Sequence, residues 1–205
     1  AVYGEEKMQS LYGEIVPVPH ERVLIAEDGM RLDFQGRPFY FFDGPGHARH
    51  HYCVFDENYG NFFSGDNFGI SYRELDNHKG PFIFPSTPPV QFEPHLMYKT
   101  LDRIMEQEPK NAYLTHYGCV TELSGLADDL RRRLDLFVDL GESLRYREES
   151  RLKELQDGIR SILLTELNRH ECHLNLEEIN ALLQYDYDLN AQGIETWLIR
   201  SSKTS

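Results

Sequence analysis

Three short stretches hold the side chains best suited to chemistry. The first is Gly44-Pro45-Gly46-His47-Ala48-Arg49-His50-His51, where a Gly-Pro-Gly turn can hold an imidazole rigidly at the mouth of a sheet. The second is Ser64-Gly65-Asp66, directly after Phe62-Phe63. The third is Leu114-Thr115-His116-Tyr117-Gly118, directly after Ala112-Tyr113. Each sets a metal-type ligand just past the end of a short apolar segment. Imidazole and carboxylate are ligands for Zn²⁺, Fe or Mn²⁺, and a carboxylate can bridge two ions. His47, Asp66 and His116 thus supply two imidazoles and one carboxylate. That set suits one half of a two-metal site, with ions roughly 3.5–4 Å apart. A bound cation brings the pKa of its water to about 7 and creates a hydroxide nucleophile at neutral pH.

The elements that must carry these loops are short. Glu5 to Tyr12 reads as a helix and Ile15 to Val18 as a strand. Arg22 to Ala26 and Met30 to Phe34 flank Glu27-Asp28-Gly29, a hairpin signal. Gln35-Gly36-Arg37-Pro38 turns into a strand at Phe39 to Phe42, and Tyr52 to Phe55 and Asn61 to Phe63 follow as strands. Between Phe68 and Pro94 lie Pro81, Pro85, Pro88, Pro89 and Pro94, which rule out a long helix or a central strand. The segment reads as an ordered surface excursion of the kind that contacts substrate. Glu93 to Glu106 is a helix, and Asn111 to Leu114 a strand that delivers His116.

From Thr121 onward the periodicity is helical. Leu123, Leu126, Leu130, Leu134 and Phe137 form one stripe, with Gly141 as its stop; Leu152, Leu155, Ile159, Ile162, Leu163 and Leu167 form another. Asn175 with Glu178 makes a capping pair for a third, shorter helix, and Asn190 can cap a last one. Arg131-Arg132-Arg133, flanked by Asp128, Asp129 and Asp135, reads as a solvated helix face with local ion pairs.

The chain of 205 residues fits one domain with a helical appendage, and its net charge of −13 argues against a nucleic-acid partner. Cys53, Cys119 and Cys172 are widely spaced and odd in number, so a reducing, cytoplasmic setting without disulfides is expected. Cys53 and Cys119 read as buried small hydrophobes. No apolar run reaches the roughly 20 residues that span a bilayer, and no secretory leader is visible.

These motifs resemble the C-terminal half of metallo-β-lactamase superfamily hydrolases, including the glyoxalase II-like branch. In that family a G-H-x-x-x-H loop gives one histidine ligand to the first metal, matched by Gly46-His47 through His51. A strand ending in G-D gives the bridging aspartate, matched by Gly65-Asp66, and a late loop histidine ligates the second metal, matched by His116. The likeness covers about residues 1–120. It implies an α+β fold: half of an αββα sandwich, a mixed sheet with flanking helices, over residues 1–120, followed by a helical C-terminal extension over 121–205. It implies two zinc ions in the complete site, with Fe or Mn as alternatives. It further implies a metal-bound hydroxide attacking an ester, thioester, amide or lactone bond of a small molecule. Asp66 is then the catalytic residue that holds both ions. His51, Tyr117 and Arg73 would stand behind the ligands or beside the substrate, Arg73 also reading as a surface ion pair.

The H-x-H-x-D-H motif of the family's N-terminal half is absent, and His20 alone cannot replace it. His170-Glu171-Cys172-His173 is no displaced copy of it. This chain is therefore expected to carry part of the site. It would be completed by the missing N-terminal half or by a second copy in a homo-oligomer. An iron-binding redox member of the same fold, or a non-catalytic interaction module, are the competing readings.

Overall fold

Short runs rich in apolar and aromatic residues, such as Phe39-Tyr40-Phe41-Phe42, give the first half of the chain strands with apolar side chains on both faces. The computed structural model describes residues 5–14, 16–88, 91–116 and 118–202. After helix α1 (Glu5–Tyr12) come strands β1 (Arg31–Phe34), β2 (Arg37–Asp43), β3 (Tyr52–Asp56) and β4 (Asn61–Phe63). Helix α2 (Pro94–Glu106) precedes β5 (Asn111–Tyr113) and β6 (Cys119–Val120). The six strands form one mixed sheet in chain order, antiparallel throughout except for the parallel pair β4 and β5. A parallel pair needs a crossover, and the proline-rich segment with α2 supplies it. Helices α3 (Leu123–Ser143), α4 (Arg151–Arg169) and α5 (Leu176–Ser202) complete the described chain.

Register sorts the sheet's side chains onto two faces. Tyr40, Phe55, Phe62, Ala112 and Val120 are successive cross-strand partners. Together with Phe42 and Cys53 they pack under α2 and the first turns of α3, through Leu101, Ile104, Leu126 and Leu130. The alternate row, Phe41, Val54, Phe63, Tyr113 and Cys119, lies on the opposite face. No described helix covers it: Phe63 is 40% and Tyr113 38% exposed. A second core joins Phe82, Phe84 and Phe92 of the proline-rich segment to Leu134, Phe137, Leu163, Leu183 and Ile194 of α3, α4 and α5. None of the described helices is long and apolar enough to cross a membrane.

Four local expectations need correction. The β1–β2 hairpin turns at Gln35-Gly36, both at positive φ (55° and 80°), as a two-residue turn of this hand requires. Glu27-Asp28-Gly29 does form a turn, but the arm before it, Arg22 to Ala26, is not a strand. Gly29 and Met30 take the slot beside Phe41, and Val23, Leu24 and Ile25 stay exposed. Residues 16–18 are likewise not a strand, while Ile15 lies outside the described residues. Third, α5 is one helix through Asn190, whose side chain is occupied by another segment instead of capping. Fourth, Arg133 is buried rather than solvated. It lies 4.0 Å from the ring centre of Phe82 and donates to Glu166 and to the Ile83 carbonyl. Arg131 and Arg132 do form ion pairs, with Asp102, and with Asp129 and Glu166.

Candidate metal centre

The loop after β2 is clamped from three sides. Thr100 Oγ1 donates to the Pro45 carbonyl at 2.6 Å, and the Glu93 amide donates to the Gly46 carbonyl at 2.8 Å. The backbone of Met97 approaches so closely that a Cβ on Gly46 would stand 2.4 Å from the Met97 Cα, and the φ of Gly46 is +137°. Only glycine satisfies both conditions. Asn67, fully buried, donates to the Gly44 carbonyl at 2.9 Å and so ties this loop to the one after β4.

Within that frame His47 is aimed. Its Nδ1 faces the Ser86 carbonyl at 3.0 Å, so Nδ1 carries the proton and donates. That leaves the Nε2 lone pair directed at Asp66 Oδ2, 3.4 Å away. His51 Nε2 lies 3.5 Å from the same oxygen, with its ring edge-on to that of His47 at 4.8 Å. Gly65, at φ +54°, passes so near His51 that a Cβ there would stand 2.7 Å from Nδ1. His116, in the loop between β5 and β6, places Nε2 3.5 Å from the other oxygen, Asp66 Oδ1. The structure thus brings His47, His51, Asp66 and His116 to one place.

These separations suit a cation. A charge-assisted hydrogen bond would draw the partners to about 2.7–2.9 Å. Two ligands of one tetrahedral ion, each about 2.0–2.2 Å from it, stand about 3.3–3.5 Å apart. The donor atoms of His47, His51 and Asp66 lie within 4.8 Å of one another. Burial holds the pKa of both His47 and His51 below the ordinary histidine value, against the pull of Asp66, which favours the neutral, ligating imidazole. The residues fit the group.

Arg73 sits in a 3-10 turn, hydrogen-bonded to Ser71 and ion-paired with Asp76 at 3.1 Å. Tyr117 lies outside the described residues. Cys53 is buried and its thiol is pushed up to about 12, while Cys119 donates to the Val120 carbonyl. Ser86 and Asn67 were invisible as site residues, because one acts through its backbone carbonyl and the other through a loop-to-loop bond. Beside the cluster a shallow cavity of about 350 Å³ is lined by His50, His51, Tyr52, Val54, Phe63 and Gly65.

This chain is 27% identical over 150 residues to a metallo-beta-lactamase fold-containing protein of Sulfurisphaera tokodaii, covering 69% of this chain and 54% of that one. The crystal structure of an archaeal metallo-beta-lactamase superfamily protein from Sulfolobus tokodaii matches with a TM-score of 0.52 at 20% identity. That match covers 92% of this chain and 58% of the other. A metallo-beta-lactamase family protein from Thermus thermophilus superposes with a TM-score of 0.46 at 20% identity, over 69% of this chain and 43% of its own. No family model matches the chain. The fold is that of the metallo-beta-lactamase superfamily, a mixed sheet with flanking helices. Within it, the chain spans little more than half the length of the archaeal relative it matches.

Proposed function

We propose that this chain carries one side of the two-ion centre of a metal-dependent hydrolase, with His47, Asp66 and His116 as its ligands. The observation that carries the reading is the double engagement of one carboxylate: Asp66 Oδ2 faces His47 and Asp66 Oδ1 faces His116. A divalent ion held there supplies Lewis acidity, which activates water and polarises a carbonyl. The protein's own part is orientation. The Ser86 carbonyl fixes the His47 tautomer, Asn67 joins the two loops, and His51 steadies the carboxylate or meets the substrate. The cavity beside His51 is where a small ester, thioester, amide or lactone would lie. Zinc is the proposed ion, since two imidazoles and a carboxylate form a donor set it favours.

On this reading residues 1–120 are the C-terminal half of the metallo-β-lactamase-like domain, and 121–205 are the extension packed on it. The open row of Phe41, Val54, Phe63 and Tyr113 is the surface on which the other half, or a second copy, would close. Zinc content after dialysis, measured for the chain and for Asp66→Ala, tests the assignment. Bound zinc should fall at least about 100-fold in affinity on substitution. Equal affinity in the two proteins would remove Asp66 from the site.

A further inference from the structure

Helix α5 holds two residues that weaken a helix where they sit. Asn190 and Gly193 lie in its interior, and both are buried. Asn and Gly are among the poorer helix formers, and nothing in the apolar packing of α5 calls for them. What they meet explains them. The Thr87 amide donates to Asn190 Oδ1 at 2.8 Å, and the Thr87 hydroxyl lies 2.7 Å from the same atom and 3.1 Å from the Asn190 carbonyl. Asn190 Nδ2 in turn donates to the Asp186 carbonyl at 2.8 Å, which fixes the amide's orientation. One turn on, a Cβ at Gly193 would stand 1.9 Å from the Thr87 carbonyl oxygen. The backbone of the proline-rich segment therefore lies directly on α5, and it can do so only over glycine.

The same face grips this segment along its length. Tyr72 donates to Asp186 at 2.9 Å, Phe92 meets the Trp197 ring edge-on, and Arg200 donates to the Phe92 carbonyl and to Glu93. Thr87 is the residue next to Ser86, whose carbonyl accepts a hydrogen bond from His47 Nδ1 at 3.0 Å.

We propose that Asn190 and Gly193 are positioning residues for the metal site: through Thr87 they fix the Ser86 carbonyl, and through it the tautomer and direction of His47. The inference rests on the reading of His47 as a ligand. It makes the helical extension a working part of the centre rather than an appendage.

The test uses Asn190→Ala, Gly193→Ala and Thr87→Val, with Asn175→Ala as a control at the far end of the same helix. Two quantities are read. One is the His47 tautomer in the metal-free chain, from long-range proton–nitrogen correlation spectra. The other is zinc affinity by chelator competition. Parent and control should show His47 protonated on Nδ1. Asn190→Ala and Gly193→Ala should show a mixture of tautomers and lose about 10–100-fold in zinc affinity. Thr87→Val, which keeps the backbone bond, should fall between. Gly193→Ala improves helix propensity, so a loss of affinity there is not explained by weakening the helix. If Asn190→Ala does not fold, Gly193→Ala and Thr87→Val decide. Folded variants with the parent's tautomer and affinity would overturn the proposal. Should the parent bind no zinc, the ligand reading fails, while the tautomer spectra still decide whether α5 sets His47.

Discussion

At the scale of single residues, the candidate centre is a balance between charge and burial. His47 and His51 sit beside Asp66, which favours their protonation, yet burial is the larger influence and keeps them neutral. His170, packed edge-on to Phe82 and close to Arg133, is displaced in the same direction, again chiefly by burial. In the unfolded chain these imidazoles take up protons near pH 6.5, whereas in the folded chain they do so only at lower pH. The unfolded state then binds more protons, and stability falls as pH falls. Thermal melts of the metal-free chain should therefore show a melting temperature that is level above about pH 7 and declines from about pH 6.5 downward. A level or rising value through that window would contradict the burial account. The convergence of His47, Asp66 and His116 was legible in the sequence because their chemistry is written in side chains, and each follows a strand end. Ser86 was not, since a backbone carbonyl has no letter of its own.

At the scale of elements, local rules worked wherever a residue's partners are near in sequence. Asn175 is the example. Its Oδ1 accepts the amides of Glu177 and Glu178 at 2.9 and 3.0 Å, and Glu178 returns a bond to the Asn175 amide at 2.8 Å. Asn175→Ala should cost about 1 kcal/mol, read as a shift of the urea midpoint with the slope unchanged; a loss below about 0.3 kcal/mol would show that the cap contributes little. Asn190 shows where such rules end. A polar residue breaking an apolar stripe looks like a cap, and only Thr87, 103 positions away, reveals it as a buried docking point inside one long helix. Arg133 is the same lesson with a charge. Its sequence neighbours suggest a wet face, but Phe82 and Glu166 come from distant elements. The hairpin moved for a different reason. Both signals form turns, but the arm before Glu27 stays exposed and is not a strand, so only Gln35-Gly36 joins two paired strands.

At the scale of the whole molecule, helices cover one face of the sheet, and among the described residues none covers the other. Phe42, Phe62 and Ala112 are buried under helices, whereas Tyr52, Phe63 and Tyr113 carry large exposed rings. We propose this apolar face as an association surface. The chain alone should therefore self-associate in sedimentation experiments, and the paired substitution Phe63→Lys with Tyr113→Lys should give a monomer. A parent chain that is monomeric at high concentration would contradict that role for the face. The short aromatic runs made the strands legible, but not which face the helices would take, because both rows are equally aromatic. The proposed centre has His47 and His116 on opposite oxygens of Asp66, each beside a cation. Crystals grown with zinc and measured at its absorption edge test it directly. The account predicts an anomalous peak about 2.0–2.2 Å from both His47 Nε2 and Asp66 Oδ2. Zinc-bearing crystals whose peaks lie elsewhere, with none touching Asp66, would contradict it.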